Sequence, residues 1–211
     1  MTPPPYRIES DRLVIRCYEP RDAPLLKAAV DESIEHLLPW MPWARFEPQT
    51  VEEKVQLIRS FRGQFDLDQN YIYAVFDREE TKQVGGSGLH PRANPGSLEI
   101  GYWIRAGEVG RGLATELTAV LTRVGFELCA LDRVDIQVEP TNARSLAIPR
   151  KLGFTQEAVL RRRLEAAAGE PRRDSVVFTM LREELAGSPC TAYDYAAYDA
   201  AGTELASRTV A

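Results

Sequence analysis

Residues 98–130 read LEIGYWIRAGEVGRGLATELTAVLTRVGFELCA, and the fold turns on them. Leu98 to Ile104 alternates as a strand, with Leu98, Ile100, Tyr102 and Ile104 on one face and Glu99, Gly101 and Trp103 on the other. A glycine turn, Gly110-Arg111-Gly112, follows. From about Leu113, the residues Leu117, Val120, Leu121, Val124 and Leu128 recur at helical spacing, which marks one buried stripe. The first turn of such a helix has N–H groups without intrahelical partners, and the helix dipole puts positive charge there. Side-chain-free Gly110 and Gly112 let an anion reach that backbone, and Arg111 can add a charge-assisted contact. The same glycines also fit a plain helix entry. No Lys-Ser or Lys-Thr follows them, so the stretch is not a P-loop, and Thr115 stands where a dinucleotide fingerprint wants a third small residue.

At 211 residues the chain is long enough for one domain with a substantial core. Its formal net charge of -5 argues against a general nucleic-acid or membrane-surface binder, which would be basic. Cys17, Cys129 and Cys190 are scattered and odd in number, which suits free thiols in a reducing compartment rather than a disulfide framework. Two distant histidines and no Cys-x-x-Cys make a metal site an unsupported reading. The N-terminus has no apolar leader and no apolar run reaches membrane-spanning length, so a cytoplasmic location is expected.

Along the chain, residues 1 to 7 are proline-rich and expected to be loose. Leu13 to Cys17 reads as a strand, and Asp22 as a candidate cap for a helix whose face is Leu25, Leu26, Ala29 and Val30. HLLPWMPWARF (36–46) is stiffened by prolines, and its Trp40 and Trp43 either line an aromatic pocket wall or cap the core edge. His36 reads as a packed or solvated histidine rather than a catalyst. Thr50 and the acidic residues after it open a second helix, with Val51, Val55, Ile58 and Phe61 on its apolar face. Strands are expected at 71–76 and 83–89; Gly85, Gly86 and Gly88 in the latter would let another chain or a ligand approach closely. His90 reads as a loop residue. A carboxylate in an otherwise apolar strand is costly unless paired or facing a cleft, so Glu99 is either a general base or the partner of a nearby arginine. Val134, Ile136 and Val138 mark another strand, Asn142 caps a short helix from Ala143 to Leu152, and strands at 155–164 and 174–181 close the series.

Four segments together resemble the GNAT acetyltransferases, in their RimJ/RimL-like branch: SDRLVIRCYEPRDAPLL (10–26), LEIGYWI (98–104), VGRGLATE (109–116) and TNARSLAIPRKLGF (141–154). The resemblance implies an α/β (α+β) fold, a mixed, mostly antiparallel sheet of six to seven strands flanked by helices and splayed at its centre. The domain would span residues 8–185; by its own composition, rich in Ala, Gly, Ser and Thr with little apolar period, 186–211 reads as a C-terminal tail, disordered unless it packs on a partner. The resemblance also implies acetyl-CoA as cofactor. The backbone of Trp103, Ile104 and Arg105 would hold its pantetheine arm, an N–H there would stabilise the thioester oxygen, Val109, Gly110, Arg111, Gly112, Leu113, Ala114 and Thr115 would hold its diphosphate, and Asn142 would hold the arm further along. Ser145 would protonate the leaving thiolate. Other branches place a tyrosine acid where this chain has Pro149, and many members carry Gln or Arg where it has Gly107. Three candidates stand for the base: Glu99, Glu165 or a water. Trp40 and Trp43 would form the acceptor wall. The expected reaction moves an acetyl group directly to a primary amine, a protein N-terminus or a small molecule. A second reading is an acyl-CoA sensor or a catalytically degenerate homologue. Neither nucleic acid nor membrane is an expected partner, and the sequence leaves monomer and homodimer open.

Overall fold

The computed structural model describes residues 2–92, 96–164 and 171–208. One mixed sheet runs through it. Its strands are β1 (Arg7–Glu9), β2 (Leu13–Cys17), β3 (Tyr71–Asp77), β4 (Gln83–Pro91), β5 (Ser97–Ile104), β6 (Arg133–Val138), β7 (Thr155–Leu164), β8 (Arg173–Leu181), β9 (Tyr195–Tyr198) and β10 (Glu204–Arg208). The spatial order is β10-β9-β1-β2-β3-β4-β5-β6-β8-β7. The sheet thus has ten strands, not six to seven. The helices are α1 (Ala23–Asp31), α2 (Ile34–Leu37), α3 (Val51–Asp66), α4 (Leu113–Glu127) and α5 (Ala143–Lys151).

Every neighbouring pair is antiparallel except β5 and β6. Those two run parallel, and their register covers only Ser97 to Glu99 against Arg133 to Asp135. Beyond Glu99 they part, while β5 stays paired with β4 as far as Ile104. This is the expected splay at the sheet centre.

The long helix explains how the splay is held open. Leu117, Val120, Leu121 and Val124 of α4 are fully buried in one cluster with Leu98 and Ile100 of β5, Val134 and Ile136 of β6 and Phe178 of β8. Each such aliphatic side chain contributes about 1.5–3 kcal/mol when fully buried. On the opposite face of the sheet, α1 and α3 bury Leu26, Val30 and Ile58 against Val14, Ala74 and Phe76. Thr50 caps α3 with the reciprocal box the sequence suggested: its hydroxyl accepts from the Glu53 N–H, and Glu53 accepts from the Thr50 N–H. Asp22 does not cap α1 with its side chain. It accepts two hydrogen bonds from the Arg16 guanidinium and one from the Glu19 N–H, closing the short 3-10 turn before α1.

Four further expectations are corrected. Residues 186–208 are not a tail beyond the domain. A 3-10 turn, Pro189–Ala192, lays buried Cys190 on the outer side of α4, where the Arg123 guanidinium donates to the Tyr193 carbonyl and the Tyr195 hydroxyl donates to Glu127. β9 then pairs with β1, so Arg7, the last of the residues expected to be loose, is the first of a strand. As a result α4 is buried on nearly every side, including Thr118, Thr122 and Arg123. The glycines of β4 also make room for this chain's own side chains: a Cβ on Gly86 would sit 2.4 Å from Trp103 Nε1, and one on Gly88 2.4 Å from the His90 ring. His90 lies within β4, not in a loop.

Ending the chain after Gly187 should lower the unfolding midpoint by about 5–10 °C, because Cys190, Tyr195 and Ala197 leave the core. Calorimetry showing an unchanged midpoint would return the segment to a loosely held tail.

Candidate active site

At the mouth of α4 the backbone turns through Gly110 and Gly112, which have φ of +80° and +79°. Side chains strain in that left-handed region, so glycine is the residue for both positions. A Cβ on Gly110 would meet nothing within 4 Å, leaving open space above the turn. Among the described residues, no backbone carbonyl or side chain takes the N–H groups of Gly110, Arg111, Gly112, Leu113 or Ala114; the first helical bonds come from Thr115 and Glu116 to the Gly112 carbonyl. Gly110, Arg111 and Gly112 are exposed while Leu113 is buried and Ala114 half-buried, and a cluster of free N–H groups at a helix start is a ready site for an anion.

The turn is fixed from behind by a residue pair the sequence did not flag. Glu116, almost fully buried on the first turn of α4, accepts from the Ser10 hydroxyl at 2.8 Å, the Arg12 N–H at 3.0 Å and Arg12 Nε at 2.6 Å. Arg12 also donates to the Arg111 carbonyl at 2.8 Å. The partners lie about a hundred positions apart in the chain, so no local pattern announces them. Arg111 itself points to Glu108, which it shares with Lys82. The hydrogen bond from Lys82 holds the Glu108 carboxyl below the usual carboxylate range; burial opposes that and Arg111 adds to it.

From this mouth a cavity of about 810 Å³ runs past Ile104 and Leu113 to α5, and on to α2 and the loop after it. Tyr102 and Trp103 both line it, although they project from opposite faces of β5. The cavity therefore reaches through the parted sheet. On the α5 side it is lined by Thr141, Asn142, Ser145 and Ile148, and on the far side by His36, Leu37, Trp40 and Met41.

Asn142 caps α5, its Oδ1 accepting from the Ser145 N–H at 3.1 Å. Ser145 Oγ lies 3.0 Å from the Tyr102 hydroxyl, which is also 3.4 Å from the Ser145 carbonyl. That carbonyl is free for a side chain because Pro149, one turn on, has no N–H to give it. Burial pushes the Tyr102 phenol up to about 12, although its bond to Ser145 works in the other direction. At neutral pH the phenol keeps its proton. The sequence shows Tyr102 only as a strand residue sharing a face with Leu98, Ile100 and Ile104; its pairing with Ser145 depends on how α5 crosses the strand.

The expected site residues separate into two groups. Trp103, Ile104, Val109, Gly110, Gly112, Leu113, Ala114, Thr115, Asn142, Ser145 and Trp40 line the one cavity. Arg105, Arg111, Trp43 and Glu99 do not. Arg105 pairs with Glu32 and donates to the Gln83 carbonyl. Trp43 is partly exposed and packs edge-on against Trp103, with centroids 5.9 Å apart. Glu99 sits at the vertex of the splay on the α1/α3 face. Its carboxylate receives Arg92 Nε at 3.0 Å, Arg92 Nη2 at 2.8 Å and Gln137 Nε2 at 2.8 Å. The arginine partner is thus the reading of Glu99 that the geometry carries. Glu165 lies outside the described residues.

The sheet is thus parted over a through-going cavity with bare amides at one mouth, an arrangement with room for a long anionic ligand. Residues 12–155 match the acetyltransferase (GNAT) domain family. The chain belongs to that family, and it is an acetyl-CoA-dependent N-acetyltransferase. It is similar to the N-acetyltransferase p20 of Bacillus licheniformis, itself uncharacterized, at 28% identity over 84% of this chain and 97% of that one. It is similar at 28% identity to the [ribosomal protein uS5]-alanine N-acetyltransferase of Escherichia coli, over 73% of this chain and 80% of the relative. In fold it resembles Mycobacterium smegmatis RimJ in complex with CoA-disulfide, with a TM-score of 0.76 and 24% identity over 89% of this chain and 92% of that one.

Gly112→Glu should raise the acetyl-CoA Kd at least about 100-fold, by placing bulk and negative charge among the free amides. Titration calorimetry checks it, with circular dichroism as the control for folding. An unchanged Kd would remove the anion-binding reading of the turn.

Proposed function

We propose that the acceptor is the N-terminal amine of a protein, ribosomal in type, and that transfer takes place in the cavity between Ser145 and Trp40. The observation that carries this is the continuity of that cavity: it joins the free amides of α4 to Ser145, crosses the sheet, and opens on an aromatic wall where a chain end can enter. The activity for which the Escherichia coli relative is named, alanine acetylation on a ribosomal protein, supports the peptide acceptor. Three buried free thiols fit a reducing, cytoplasmic setting.

Acetyl-CoA supplies an acyl group already activated as a thioester. The amides of residues 110–114 hold its diphosphate. Backbone groups of β5 beyond Glu99, left without a strand neighbour on the β6 side, take its arm as an added strand would. Asn142 fixes the start of α5 and with it the height of Ser145. The phenol of Tyr102, the more acidic hydroxyl of the pair, donates to Ser145 Oγ. The serine proton is then free to point into the cavity, toward the departing sulfur. Trp40 and Met41 orient the acceptor and exclude water. With both reactants held, proximity supplies much of the rate.

Ser145→Ala should lower kcat by about 10–100-fold while the acetyl-CoA Kd stays within about threefold. Thiol release measured over a panel of N-terminal peptides and small amines tests both the role and the acceptor class. Equal turnover by the variant would return Ser145 to a packing role, and small amines outpacing every peptide would overturn the protein acceptor.

A further inference from the structure

We propose that His36 is the catalytic base that takes the proton from the acceptor's ammonium group. The inference rests on the acetyl-transfer reading of the cavity.

An amine near neutral pH is protonated, and only its neutral form has a lone pair for the thioester carbon. A base must therefore offer its own lone pair to the cavity. Five ionisable side chains line it among the described residues: His36, Tyr102, Glu108, Arg144 and Lys151. Arginine and lysine are cations and have nothing to accept with. Tyr102 holds its proton. Glu108 is engaged by both Lys82 and Arg111, a setting that makes its carboxylate a poor base. Glu99 lies off the cavity and is held by three hydrogen bonds from Arg92 and Gln137.

His36 is different on each count. It stands on α2, on the far side of the sheet from Ser145, beside Trp40 and Met41. It is half-buried and makes no hydrogen bond or ion pair with the described residues. Imidazole is the side chain that exchanges a proton near neutral pH. In the step assigned to it, one N–H bond of the ammonium breaks and the proton goes to an imidazole nitrogen. The bonding pair stays on the amine nitrogen and is free to form the new C–N bond. The imidazolium then gives its proton to water at the open mouth. Acid and base so stand on opposite sides of the sheet, Ser145 near the leaving sulfur and His36 near the entering amine.

The test has two parts. On the unaltered protein, diethyl pyrocarbonate should modify His36, and acetyl-CoA with an acceptor peptide should slow that modification. His90, packed against Gly88 and hydrogen-bonded to Asn70, is the internal comparison. Peptide mass mapping reads both sites. In parallel, His36→Gln should lower kcat about 100-fold with the acetyl-CoA Kd within about threefold, and added imidazole should restore at least about tenfold of the turnover lost in His36→Ala. Three results would overturn the assignment: no protection of His36 by bound substrates, turnover of His36→Gln within about threefold of the unaltered protein, or a loss in His36→Ala that imidazole leaves untouched. Failure of the unaltered protein to acetylate any acceptor is a separate outcome; it removes the acetyl-transfer reading and this assignment with it.

Discussion

The structure depends on the place where β5 and β6 let go of each other. A strand in the middle of a ten-stranded sheet ordinarily has both rows of backbone groups satisfied, because an orphaned N–H or C=O in a buried setting costs about as much as a lost hydrogen bond. Here the pairing stops at Glu99 and Asp135. Glu99 stands at that vertex, tied to Gln137 of β6 and to Arg92, and so helps set where the opening begins. Above it, Leu117 to Val124 of α4 clamp both strands from one face, so the gap is fixed in width rather than free to close. In the function proposed above, a ligand that offers amides and carbonyls of its own completes the sheet there, and the bare amides at the start of α4 hold its charged end.

The same constraint explains how remote parts of the chain serve the site. Glu116 anchors the glycine turn to Ser10 and Arg12 at the other end of the sequence. Cys190 and Tyr195 press on the outer side of α4 and keep it against the sheet. Pro149 breaks one helical bond in α5 and so frees the Ser145 carbonyl near the Tyr102 hydroxyl.

Much of this was legible in the sequence, for local reasons. The strand, the turn and the amphipathic run of 98–130 are patterns of adjacent residues, and Asn142 and Thr50 cap helices within three positions of their partners. What was hidden is long-range. The Tyr195–Tyr198 strand is two alanines between two tyrosines, a run too short and too weakly apolar to stand out, and its partner β1 lies at the opposite terminus. Glu99 kept two readings until its arginine was placed. The small residues of β4 looked like an opening for a ligand, but the bulk they admit is Trp103 and His90 from this same chain. His36 read as bland because nothing near it in sequence says that a cavity passes beside it.

Amide hydrogen exchange, followed residue by residue with and without acetyl-CoA, tests the central claim most directly. The amides of 110–114, together with those of 100–104 that face the gap, should slow by at least about tenfold on binding, since free N–H groups gain partners there. Exchange unchanged at both stretches while acetyl-CoA binds, with protection appearing elsewhere on the molecule, would contradict it.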